Sequence, residues 1–229
     1  AYIIKCWSVL FEFIGSILII KLSEKVGRLK QGYLVALLYF INPAIFVNSS
    51  VWGQFDSIPA TMLLRVILMF EYKRPNEGAL LFLIAVLTKP QSGLLLPVVL
   101  YLYFKDFRFN KEFIKRIITG IILGISLYLI IILPFYNPTS KVHLMPRFLD
   151  PFYWLFDLYF RSIQDYPFAT ANAFNLWTLL GGQIQQDTLP VIGLSYLWWG
   201  NILFVLAVVF ALICLIKGGT DIHAISYFS

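Results

Sequence analysis

The chain runs to 229 residues, 59% of them apolar and 13% charged, with a mean hydropathy of +0.78. A soluble domain, whose composition is about a quarter charged, is thereby excluded in favour of a polytopic membrane protein. The net charge of +6 does not make it a nucleic-acid binder, because the basic residues stand in short blocks between apolar runs, the pattern of cytoplasmic loops under the positive-inside bias.

The first apolar run, 1–22, is long enough to cross a bilayer, which takes about 20 residues. It opens at Ala1 without an initiator Met, and the chain closes at Ser229 as another apolar segment begins, so the sequence reads as a piece of a longer protein. Within the run Lys5 and Glu12 stand two helical turns apart on one face. That face is expected to look into the bundle, and the pair has two readings: an orienting pair or a Lys5 that snorkels near the outer interface, or a catalytic pair. Cys6 and Cys214 lie in apolar runs and read as small packing residues.

After a basic block (Lys21, Lys25, Arg28, Lys30), a second run, 33–47, leads outward into Asn42–Ser57, NPAIFVNSSVWGQFDS. Here an apolar run fills with hydrogen-bonding side chains. Asn42 and Pro43 interrupt a helix, Asn48, Ser49 and Ser50 follow, and Trp52, Gln54 and Asp56 stand just before the next apolar run. A carboxylate in that company is costly unless water or a ligand solvates it, although Asp56 also has the position of a helix cap. The third run, 58–70, returns to Lys73 and Arg74 and carries Arg65, which at that depth is expected to meet a carboxylate, a cavity or an anionic ligand.

Between the second basic block and the third (Lys105, Arg108, Lys111, Lys115, Arg116) the chain must cross an even number of times. Two short helical arms around Thr88-Lys89-Pro90-Gln91-Ser92 satisfy this. Each arm of about 15 residues, at about 1.5 Å per residue, falls short of a core about 30 Å thick. The turn therefore lies beneath the outer surface, where irregular backbone is tolerated only within protein or around a water-filled cavity. A clean crossing, 117–135, ends at Pro134. The region 136–193 mixes His143, Arg147, Asp150, Asp157, Arg161, Asp165 and Asp187 with many aromatics, and suits interfacial helices on the outer surface. A final crossing, 194–216, returns to Lys217, and an outward helix starts from Asp221.

Of the 18 Lys and Arg residues, twelve fall in the proposed inner loops, four outside (Lys89, Lys141, Arg147, Arg161) and two within helices. Three polar clusters, NSSVWGQFDS, TKPQS and the Asn-rich and aromatic 165–177, thus share the outer side. A polar wall on one face describes an outward-facing active site better than a conduction path. The isolated His143 and His223 offer no metal-ligand spacing, and no nucleotide or serine-hydrolase motif occurs, so no metal or cofactor is expected.

The order NP, WGQFDS, LTKPQ, LPF and NAFNLW resembles integral-membrane glycosyltransferases of the GT-C superfamily, above all prokaryotic mannosyltransferase-like members, and more distantly the dolichyl-phosphate-glucose-dependent glucosyltransferases. The resemblance implies an all-α membrane protein, a polytopic bundle with outward-facing loops, in a prokaryotic plasma membrane with its active face extracytoplasmic. It implies transfer of mannose or glucose from a polyprenyl-phosphate donor to a lipid-linked or other glycan acceptor, with membrane lipids around it and no nucleic acid. The family's usual catalytic carboxylate lies in an outer loop that would precede Ala1, which leaves the base unassigned here, with Asp56 as the fallback.

Sugar-binding roles then fall to Gln54, Asp56, Gln91, Asn172 and Asn175, with Trp52 or Trp177 stacking on a sugar face. Lys89, Arg147 and Arg161 become the cations for the leaving phosphate. Plainer readings stand beside these: Trp52 and Trp177 as interface anchors, the Asn pair as loop caps, and Lys89 as an ion-pair partner of Asp56. A secondary transporter of a small polar solute is the rival class; it predicts charges at depth on several helices and an internal repeat, and no repeat is visible.

Overall fold

The computed structural model of the protein describes residues 2–105, 109–137, 149–164, 167–171 and 175–217. The chain divides into two compact units, Ala1–Tyr128 with Cys214–Ser229, and Leu129–Ile213.

In the first unit α1 (Tyr2–Lys25) and α2 (Leu29–Phe40) form an antiparallel pair. At about 1.5 Å per residue α1 extends about 36 Å, enough to cross a bilayer core. Its buried stripe, Ser8, Glu12, Gly15, Ser16 and Leu18, recurs at helical spacing and is made mainly of small or polar residues, the composition that lets helices pack closely in lipid. Against it lies α4 (Ser57–Glu71), running parallel. Ser57 Oγ donates to Ser8 O (3.1 Å) and Thr61 Oγ1 to Phe11 O (2.8 Å), and further along Leu18 packs on Leu68 and Met69.

Between α2 and α4 the chain turns in short pieces. Asn42 Oδ1 caps α3 (Pro43–Phe46) by accepting from Ala44 N at 2.9 Å, and Pro43 occupies the first helical position, where its missing N–H costs nothing. A π-helical turn, Val47–Val51, follows directly, and this broken segment is bent by 41° from α2.

The expected hairpin of short arms is present as α5 (Pro75–Thr88), a 3-10 turn (Pro90–Leu95) and α6 (Leu96–Phe104). Its apolar faces close on α4 through a core of Val66, Phe70, Phe82, Val99 and Leu102. Of the partners expected for Arg65, a carboxylate, a cavity or an anionic ligand, the first is not found: the residue is exposed and makes no ion pair among the described residues. Its long stem carries the guanidinium out of the packed layer.

The sequence continues through α7 (Lys111–Ile132), which ends just before Leu133-Pro134-Phe135 as the helix-stopping proline requires. In the second unit α8 (Asp150–Gln164) has the amphipathic character expected of an interfacial helix, with Asp150 in its first turn and Arg161 in its last, each favourable to the helix dipole. Phe156 and Phe160 stack on its exposed face.

The stretch that follows departs from the expectation of interfacial helices throughout. Isolated bridges join Phe168 to Gln186 and Thr170 to Gln183, and a short hairpin pairs β1 (Pro190–Val191) with β2 (Leu194–Ser195). Ile192 and Gly193 turn it with φ of 48° and 85°, the two positive values that a two-residue I′ loop needs. Only one small helix, α9 (Leu176–Leu179), lies in the described part of this stretch before α10 (Tyr196–Lys217) begins.

Among the described residues three helices are long and apolar enough to cross a membrane, Lys5–Lys25, Lys111–Ile132 and Tyr196–Lys217, with the bent pair 29–51 as a fourth if it counts as one span. α7 and α10 expose apolar side chains around most of their circumference, as helices facing hydrocarbon do. These are the features of an integral membrane protein built mainly of helices.

Candidate functional site

Three segments of the first unit meet at one end of its helices: the start of α1, the polar stretch 48–57 and the break at 88–92. The opposite end gathers basic residues. Lys25 lies over the Tyr72 ring at 4.7 Å, and Asn76 Nδ2 donates to Arg116 O at 3.1 Å. Polar turns at one end and basic turns at the other are the arrangement that the charge distribution predicts.

The backbone explains why the polar end is shaped as it is. In the π turn Trp52 N reaches back five residues to Val47 O (2.8 Å), and Gln54 N bonds Asn48 O (3.0 Å). Gly53, at φ +79°, then reverses the chain in a conformation that a side chain would strain. Ser8 Oγ donates to Gln54 O (3.2 Å) and Lys5 Nζ to Val51 O (3.3 Å), fastening the loop to α1.

Asp56 follows at the N-cap position of α4, yet its side chain makes no capping bond and its backbone is already helical. The capping reading is therefore excluded. Its carboxylate accepts from Asn48 Nδ2 at 3.4 Å through Oδ2 and pairs through Oδ1 with Lys89 Nζ. Lys89 reaches it because Pro90 holds the preceding residue in extended conformation, at φ −148° and ψ 111°, so the chain breaks there instead of continuing α5. Both partners are about a third exposed. A pair so open contributes about 0–1 kcal/mol to stability, which is little for two turns 33 residues apart in sequence.

Beside this pair opens a cleft of about 400 Å³. Asn48, Asp56, Tyr39 and Glu12 line it together with the apolar Ala44, Ile45 and Ala60. Glu12 is 4% exposed, and its Oε1 has no hydrogen-bond partner among the described residues. Tyr39 and Thr61 both lie over Gly15, where a Cβ would come within 3.0 Å of Thr61 Oγ1 and 3.3 Å of Tyr39. Gly15 thus leaves room for Thr61 and for Tyr39, which lines the cleft.

Of the residues singled out in the sequence, Asp56 and Lys89 are brought into contact, and Trp52, Gln54 and Gln91 lie exposed in the same two turns. Asn175, in the second unit, is used as a cap. Its Oδ1 accepts from Thr178 N (3.2 Å) and its Nδ2 donates to Thr170 Oγ1 (3.1 Å). There, too, Arg161 pairs with Asp157 at 2.8 Å, one helical turn away, and Trp177 packs edge-on against Tyr196. These bonds agree with the loop-cap reading of Asn175 and give Arg161, whose side chain stays largely exposed, an ion-pair partner on its own helix. Arg147, Asn172, His143, Asp165 and the helix expected from Asp221 lie outside the described residues.

Sequence reasoning placed Glu12 on an inward face but did not connect it with Asp56, and it passed over Tyr39. The small-residue spacing Ser8, Glu12, Gly15, Ser16 was the available signal. No protein-family model matches the chain, and neither a curated protein nor a solved structure matches it.

Proposed function

We propose that the protein is a membrane glycosyltransferase, moving a hexose from a polyprenyl-phosphate donor to a lipid-linked or other glycan acceptor on the outer side of a prokaryotic plasma membrane. The observation that carries this reading is the meeting of Asp56 and Lys89, from the two motifs WGQFDS and TKPQS, beside a cleft with both polar and apolar walls. A sugar offers hydroxyls to carboxylates and amides and carbon faces to apolar walls, and the cleft supplies both. The leaving polyprenyl phosphate departs with negative charge, and the ammonium of Lys89 is placed to stabilise it; the donor phosphate competes with Asp56 for that cation. Gln54, Gln91 and Trp52 are exposed around the pair and supply amide contacts and a stacking face.

The test uses the intact protein in lipid vesicles with labelled polyprenyl-phosphate mannose and, separately, glucose, in the presence of a lipid extract as acceptor source. Label is expected to move to the acceptor fraction, and Lys89→Met is expected to lower the rate by about 10²–10³-fold, the usual effect of losing one group that stabilises developing charge. Absence of transfer from either donor would remove the reading. One observation favours the alternative, a transporter of a small polar solute: the buried Glu12 in the cleft, since intramembrane carboxylates also mark solute pathways. Solute uptake without label transfer would decide for it.

A further inference from the structure

We infer that Glu12 is the group that receives the proton of the acceptor hydroxyl, and that the cleft between Glu12 and Asp56 is the acceptor's subsite. This inference rests on the transferase reading. It starts from a donor count around a buried carboxylate. Each hydroxyl near Glu12 already directs its proton elsewhere: Ser8 to Gln54 O, Ser16 to Glu12's own backbone O, Ser49 to Ile45 O, Ser57 to Ser8 O and Thr61 to Phe11 O. With these protons directed elsewhere, Glu12 Oε1 has no donor among the described residues, although the residue is 4% exposed and lines the cleft. A buried carboxylate oxygen needs a donor, and the cleft is the side from which one can come.

A cation, an amine or a hydroxyl would satisfy such an oxygen, and the surroundings choose among them. A divalent cation would draw on both carboxylates of the cleft, but Asp56 is already engaged by Lys89, and no group of three or more Asp, Glu, His or Cys able to hold a metal occurs among the described residues. An amine would be drawn first to Asp56, which is nearer the surface, but would meet Lys89 there. A neutral hydroxyl meets neither objection, and the apolar Ala44, Ile45 and Ala60 suit the carbon skeleton that carries it. Asp56 is the poorer base, because its two oxygens are engaged by Lys89 and Asn48.

The step balances without a further reagent. The acceptor oxygen forms a bond to the anomeric carbon while the bond from that carbon to the phosphate oxygen breaks. Its electron pair goes to the phosphate, beside Lys89, and the hydroxyl proton goes to Glu12.

The experiment compares wild type with Glu12→Gln in the vesicle assay, measuring transfer across pH and, separately, binding of the labelled donor. Glu12→Gln keeps size and hydrogen-bonding capacity and removes the basic site. It is expected to lower kcat by about 10²–10⁴-fold, the usual contribution of a general base, with donor affinity within threefold of wild type and the acid limb of the pH profile lost. Transfer within threefold of wild type by the folded variant would overturn the assignment and leave the transferase reading standing. Absence of transfer by wild type itself would remove both. If Glu12→Gln does not fold, Glu12→Asp takes its place: a base predicts a lower kcat in the folded fraction with the pH limb retained, and an unchanged kcat there would overturn the proposal.

Discussion

At the scale of the residue, Asp56 shows how a position and a role can separate. Its place ahead of α4 is that of a cap, but its backbone is helical and its carboxylate turns sideways to Lys89 and Asn48. Asp56→Asn retains an oxygen for Asn48 and loses the charge that Lys89 meets. Because the pair is open to solvent, the substitution is expected to change unfolding stability by less than about 1 kcal/mol while lowering transfer at least about tenfold, an effect equivalent to about 1.4 kcal/mol in the barrier. A double-mutant cycle with Lys89→Met in the transfer assay checks it; strict additivity of the two losses would show that the side chains act independently.

At the scale of the element, the polar end of the first unit depends on irregular pieces between regular ones. The proline-broken α2–α3 segment, the π turn and the 3-10 turn after Lys89 bring polar side chains to the helix ends, where regular helices would have carried them past. The π turn and the loop after it are held by α1, and α1 approaches α4 closely because of Gly15. Gly15→Leu places a branched side chain where Thr61 and Tyr39 now lie, with its first carbon 3.0 Å from Thr61 Oγ1. The expected cost is about 1–3 kcal/mol of stability, with a lower melting temperature in detergent and weakened transfer. A melting temperature equal to wild type would mean that α1 and α4 separate without cost at this level. The element that sequence patterning missed, the β1–β2 hairpin, has an Ile where the usual turn has Asn or Asp, so its turn signal was weak.

At the scale of the whole molecule, the prediction concerns sidedness. Basic blocks at one end of the helices and the Asp56–Lys89 turns at the other imply that positions 50 and 91 face the outside of the cell and position 28 the inside. In a Cys6/Cys214-free background, single cysteines at Ser50 and Gln91 are expected to react with an impermeant thiol reagent from outside, and one at Arg28 only after permeabilisation. Gln91 serves better than its neighbour Ser92, which is buried. Labelling of position 91 from the inside alone would invert the orientation and place the cleft on the cytoplasmic side.

The amino-acid sequence by itself determined the membrane class, the succession of apolar runs, the short-armed hairpin around Lys89 and the polar character of 48–57, because hydrophobic length, proline breaks and charge blocks act locally and are read along the chain. It also brought Asp56 and Lys89 under suspicion together. Only the tertiary structure decided that Asp56 faces Lys89 instead of capping α4, that Arg65 leaves the bundle, that Asn175 and Arg161 are occupied by neighbours, and that Glu12 shares a cleft with Asp56. Those outcomes depend on which donors and acceptors lie within about 3 Å of one another, and that is settled by how helices pack across gaps of dozens of residues, a relation that no local pattern encodes.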